Sequence, residues 1–226
     1  MKAIIYAGVA LVAGAVGFAV YRVALQPKME EAAALPQVSN ETAQPAASEP
    51  PSVETQQTGT PDVLPEFTLT DVAGNPRSIR SWTDKSMIVN FWATWCAPCR
   101  REIPYLKQLQ KDSGPKGFQV VGVAVDVRED VLKYAKEIAI DYPLIMGEQD
   151  GLEAVGKFGL GSIGFPFTVF TDNQHRIIVT HLGELHPAQA DIIMGAVAKV
   201  NSGELTPIAA RAMATTQLDK LDSPDA

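Results

Sequence analysis

The sequence predicts an α/β domain, a central mixed β-sheet with helices on both faces, and three observations predict it. Short apolar runs bounded by polar, Gly or Pro signals alternate with segments of helical period, the pattern of strand–helix–strand units. The last two apolar runs are joined instead by Asp172-Asn173, as in an antiparallel hairpin, and one more helical pattern follows. Together these segments occupy residues 62–203, enough chain to bury a single core.

The folded pattern begins at PEFTLTDVAGNPRSIRSW, where Phe67 and Leu69 alternate with polar neighbours, Gly74-Asn75-Pro76 marks a turn and the chain returns through Ile79. Met87 to Trp92, MIVNFW, reads as a buried central strand. A helix follows from Ala97 to about Lys111, stopped by Asp112-Ser113-Gly114-Pro115. FQVVGVAVD is the next buried strand, EDVLKYAKEIAI an amphipathic helix and GLEAVGKFG a shorter helical stretch. FTVFTD and HRIIVTHLGEL form the hairpin, and PAQADIIMGAVAKVN closes the domain as a helix starting on Pro187, a residue preorganised for the first helical position.

The flanks differ in composition. Ala3 to Tyr21 carries no charged residue and, continued through Leu25, reaches the roughly 20 residues that a membrane-spanning helix needs, so residues 1–25 are expected to be an uncleaved anchor. A cleaved signal peptide fits less well, because its apolar region runs only about 7–15 residues and ends at an A-x-A-like site. Lys2 on one side and Arg22 and Lys28 on the other do not decide the orientation. Residues 26–61 are rich in Pro, Ala, Ser, Thr, Gln and Glu and cannot offset their ordering entropy by burial, so a flexible linker is expected. Residues 204–226 carry a short helical pattern from Ile208 to Leu218 with no evident partner. The net charge of -7 excludes the basic surface that nucleic acid requires.

The chain has two cysteines, Cys96 and Cys99, placed where the central strand gives way to a helix. A structural zinc site needs four ligands, and His175, His181 and His186 lie far along the chain. A purely structural disulfide would close a very short loop and remove little denatured-state entropy. Redox chemistry explains more. Cys96 falls at the helix mouth, where unpaired N–H groups and the positive dipole end stabilise a thiolate, and Arg100 and Arg101 are expected to push the same way. Cys99 lies one turn inward. Cys96 is therefore the attacking thiol and Cys99 the resolving one.

The segment FWATWCAPCRREIPYL resembles the active-site segment of thioredoxin-like proteins, specifically of the membrane-tethered TlpA/ResA/CcmG (DsbE) group, with Trp92, Trp95, the cysteine pair and Pro104 all in step. The likeness covers residues 65–200 and implies a thioredoxin-like fold. It implies that Pro166 is the family's cis-proline, shaping a substrate groove against the cysteine pair. The backbone of Phe165 would then meet an extended substrate peptide, although the family commonly has a smaller residue such as Thr there. Trp95 and Pro98 are the remaining substrate contacts expected. Thioredoxin keeps a buried Asp where this chain has Asn90, and an amide cannot shuttle protons. Glu102, one turn beyond Cys99, matches the glutamate of the group and is the expected proton acceptor for Cys99. Alone, it reads equally as a surface residue favoured by the helix dipole.

The resemblance implies a thiol–disulfide oxidoreductase, held at the inner (cytoplasmic) membrane with its domain in the periplasm or outside. Ala97-Pro98 resembles the reducing members. Its partners would be disulfide-bearing exported proteins such as apocytochrome c. No nicotinamide or flavin motif is present, so no cofactor is expected and a membrane thiol donor would re-reduce the pair. Two other classes stand beside this: copper handling, with Cys96 and Cys99 as soft ligands for Cu(I), and a tethered interaction module whose cysteine pair is vestigial.

Overall fold

The computed structural model describes residues 61–161, 164–221 and 223. The expected anchor, and all of the linker but Pro61, lie outside these residues; among them no helix is long and apolar enough to cross a membrane. Seven strands form one sheet: β1 (Thr68–Asp71), β2 (Pro76–Ser78), β3 (Ser86–Trp92), β4 (Phe118–Val125), β5 (Leu144–Gly147), β6 (Phe167–Thr171) and β7 (Ile177–Leu182). Their order is β2-β1-β5-β4-β3-β6-β7. The central β3, β4 and β5 are parallel, whereas β6 and β7 on one side and β1 and β2 on the other are antiparallel. The helices are α1 (Ala97–Ser113), α2 (Arg128–Glu137), α3 (Gln149–Gly156), α4 (Pro187–Asn201) and α5 (Pro207–Leu221).

Every residue of β3 is buried, as expected of a parallel strand covered on both faces, and this is why it reads as a continuous apolar run. Alternation then divides it. Ile88 and Trp92 join Ile103 and Leu106 of α1 and Val197 of α4 in one core cluster. Val89 and Phe91 join Phe67, Phe158 and Phe167 in the other. Phe91 stacks on Phe167 with ring centroids 4.3 Å apart. Ser86, at the start of the strand, and Asn90 are its polar exceptions; Asn90 is fully buried and its amide reaches Glu102 of α1.

The predicted mixed sheet is present, with three differences. β5 is four residues long and lacks the alternation or length that marks a strand in sequence; it forms because Gly122 to Val125 of β4 pair with it. α2 stops at Glu137, short of the expected Ile140, because Ala139 adopts a left-handed conformation and the Ile140 N–H returns to Ala135 O. The helix over the last segment does have a partner: α5 packs on α4 and β7, burying Ala210 and Ala214. Its Arg211 donates to Ile177 O and, at 2.6 Å, to Asp62 Oδ1. α5 thereby covers β7, an edge strand of the sheet.

Candidate active site

β3 ends at Trp92, and after four connecting residues α1 begins at Ala97, with Cys96 as its N-cap. The loop between them is pinned by Asp126, just past β4, which accepts from the Thr94 N–H at 2.9 Å and from the Thr94 hydroxyl. Cys96 and Cys99 form a disulfide. The Cys96 sulfur also accepts the Cys99 N–H at 3.3 Å, so a helix N-terminal donor points at the sulfur that would carry negative charge when reduced. Cys96 is 4% exposed and Cys99 fully buried, so Cys96 is the sulfur an incoming reactant can reach. The arginines do not add to this in the expected way. Arg101 is engaged by Glu184, and the Arg100 guanidinium lies 5.1 Å from the Tyr134 ring centroid.

Glu102 is 2% exposed, not a surface residue. It lies on the buried stripe of α1 together with Cys99, Ile103, Leu106 and Leu109. Its Oε1 accepts from Asn90 Nδ2 at 2.7 Å and its Oε2 from the Leu185 N–H at 2.8 Å. Among the described residues no cation is bonded to it. Burial accordingly pushes the carboxyl up to about 7; the Leu185 N–H and the Asn90 amide oppose the rise, and the charge of Glu184 adds to it. A carboxyl poised there can take a proton from a thiol near neutral pH and later release it. Asn90 has a role that the sequence did not suggest. Its amide cannot shuttle a proton, but it donates to Glu102 and, at 3.0 Å, to Thr168 Oγ1 across the β3–β6 ladder, fixing the carboxyl's orientation.

The Phe165–Pro166 peptide bond is cis, as the resemblance implies. Trp95 is 69% exposed, and its ring centroid lies 6.0 Å from that of half-buried Phe165, which in turn stacks near Phe167. An aromatic ledge is thus built beside Cys96 from two segments about 70 residues apart in sequence. Pro98 sits half-buried in the first turn of α1, where its missing N–H costs nothing. The turn after β7 completes the surroundings: Gly183, at φ +90°, donates its N–H to Pro166 O at 2.9 Å, and two residues later Leu185 reaches Glu102. Sequence reasoning missed Asp126, Thr168 and this turn. Each contacts the site across at least 32 residues of chain, and only the burial of Glu102 had a local signal, its place on the apolar stripe.

Comparison with known proteins agrees with this geometry. The AhpC/TSA family model matches residues 61–180. The thiol-disulfide oxidoreductase ResA of Geobacillus thermodenitrificans is 28% identical over 117 residues, 51% of this chain and 66% of ResA. The thioredoxin-like protein YneN of Bacillus subtilis is 32% identical over 124 residues, 54% of this chain and 70% of YneN. Among solved structures, a thiol:disulfide interchange protein of the thioredoxin family from Chlorobium tepidum superposes with a TM-score of 0.51 at 36% identity, covering 58% of this chain and 92% of that one. Fold, cysteine pair and relatives converge: the chain belongs to the AhpC/TSA family of thioredoxin-like proteins, in its TlpA/ResA/CcmG branch.

Proposed function

We propose that the protein is a membrane-tethered, extracytoplasmic thiol–disulfide reductase that opens disulfides in exported proteins, apocytochrome c among them. Oxidoreductase chemistry is common to the fold, the cysteine pair and the names of the relatives. One observation carries the mechanism: the Cys96–Cys99 disulfide at the mouth of α1, with a buried Glu102 one turn further on. Direction, compartment and substrate class rest on the Ala97-Pro98 dipeptide, the apolar N-terminal stretch and the resemblance.

In the reduced enzyme the Cys96 thiolate, held by the helix N-terminus, attacks one sulfur of a substrate disulfide. An S–S bond forms to Cys96, and the first substrate thiolate leaves and takes a proton from solvent. Cys99 then gives its proton to Glu102 and attacks the Cys96 sulfur, which releases the second substrate sulfur as a thiolate that takes a proton from solvent, and leaves the enzyme disulfide. Two electrons pass to the substrate, and a membrane dithiol donor returns them. Trp95, Phe165 and the Pro166 loop seat the peptide. The test is trapping with the full-length chain and a disulfide-bearing haem-attachment peptide. Cys99→Ser accumulates a mixed disulfide through Cys96, whereas Cys96→Ser gives none and has no turnover. Equal trapping by both variants would overturn the assignment.

A further inference from the structure

The turn at 183–185 touches the site at three consecutive residues. The Gly183 N–H bonds Pro166 O at 2.9 Å. Glu184 receives the Arg101 guanidinium in a two-pronged contact, with Nε 2.9 Å from Oε2 and 3.2 Å from Oε1. The Leu185 N–H bonds Glu102 Oε2 at 2.8 Å. Arg101 and Glu102 are adjacent on α1, as Glu184 and Leu185 are on the turn, so the two elements are joined by a ladder of two rungs. The outer rung is an ion pair at the surface, with Arg101 61% and Glu184 22% exposed; the inner one is buried. His181 sits below the turn, with its Nε2 3.3 Å from Glu184 O. We propose that the Arg101–Glu184 ion pair is a positioning lock: by fixing the turn it holds the Leu185 N–H on Glu102 and ties that carboxyl to the Pro166 loop, so substrate seating and proton acceptance are mechanically linked. This rests on the reading of Glu102 as the proton acceptor.

Two opposite effects of Glu184 make the idea testable. Its charge lies near Glu102 and disfavours ionisation there, whereas the N–H that its ion pair keeps in place favours ionisation, and the N–H is the stronger influence. The other groups facing Glu102 are Tyr142 from the segment ahead of β5, neutral Asn90 from β3 and neutral Thr168 from β6; Cys99 precedes it by one turn on its own helix. Glu184→Gln keeps the shape and removes the charge. A through-space effect alone lowers the Glu102 titration midpoint. Loss of the lock raises it, by up to about 0.7 pH unit for an exposed pair.

The experiment follows the carboxyl carbon of Glu102 by NMR against pH in full-length oxidised protein, with Glu102→Gln assigning the signal, alongside the pH profile of disulfide exchange. The midpoint is expected to rise in Glu184→Gln and exchange near neutral pH to fall about threefold, as such a shift in the ionised fraction requires. The charge-swapped double variant Arg101→Glu, Glu184→Arg restores both. Raising the ionic strength moves the parent's midpoint the same way as Glu184→Gln, because the outer rung is exposed. A midpoint that falls or stays in Glu184→Gln, or one that the swap does not restore, overturns the lock. If Glu102→Gln exchanges at the parental rate, the proton-acceptor reading fails instead, and the NMR midpoints still report whether the ladder holds.

Discussion

Two carboxylates are buried to nearly the same degree in this domain and have opposite electrostatic surroundings. Glu102 is 2% exposed and Asp172, in the β6–β7 hairpin, is fully buried. Each accepts two neutral N–H donors: Glu102 from Asn90 and Leu185, Asp172 from the backbones of Gln174 and Arg176. The third neighbour separates them. Asp172 also receives the Arg176 guanidinium, with Nε 2.6 Å from Oδ2, whereas Glu102 has no cation bonded to it among the described residues and stands near the like charge of Glu184. A paired buried carboxylate holds a turn together; one left without a counter-charge is kept near the point of protonation, which is what the proposed proton acceptor for Cys99 needs.

The largest test of this contrast is pH-dependent stability. The Glu102 carboxyl holds its proton up to about 7 in the folded protein, against 4.5 for the free side chain, so the folded state retains a proton that the unfolded chain has lost. Its stabilising contribution is present below the lower value and lost as pH rises through the upper one, a change of about 3 kcal/mol in parent relative to Glu102→Gln. Denaturant titration of both oxidised proteins over that window measures it, and parallel curves would refute it.

Next comes rate. Glu102→Gln is expected to slow disulfide exchange near neutral pH by roughly 30- to 100-fold and to remove the inflection near neutrality, as loss of a general base should. Stopped-flow exchange against pH reads both effects. Asp172→Ala should do the reverse, costing roughly 1 to 2 kcal/mol in denaturant unfolding by removing the acceptor of two part-buried N–H groups while leaving the exchange rate at its parental value. The smallest effect sharpens the comparison. Arg176→Met leaves Asp172 with two N–H donors and no cation, the set Glu102 has, and since Arg176 is 39% exposed the loss should be about 1 kcal/mol or less. A larger loss, or a change in exchange rate, would show that the hairpin and the site are coupled.

The parts of this account that were legible in sequence are those written locally. The cysteine pair, the strand before it and the helix after it follow from residues within one 25-residue window, and the cis bond at Pro166 follows from the resemblance. α4 runs over Pro187–Asn201, as its pattern predicts. What was not legible is set by contacts between distant segments. Asn90 reads as the loss of a proton carrier until its amide is seen to bond the buried Glu102, the proposed acid in its place. Arg101 reads as a cation for Cys96 until the turn after β7 supplies Glu184. The faint pattern of α5 has a physical cause: the residues it buries are alanines, whose small apolar area marks no stripe, and Arg211 makes its polar attachment.

The most direct test of the central claim, that Cys96 and Cys99 form a reducing thiol–disulfide centre, is the equilibrium potential of the pair in the full-length chain, poised against dithiothreitol or glutathione. A value at or below about -270 mV, the range of thioredoxin, is predicted. A value near about -120 mV would make the protein an oxidant of exported proteins and would contradict the account.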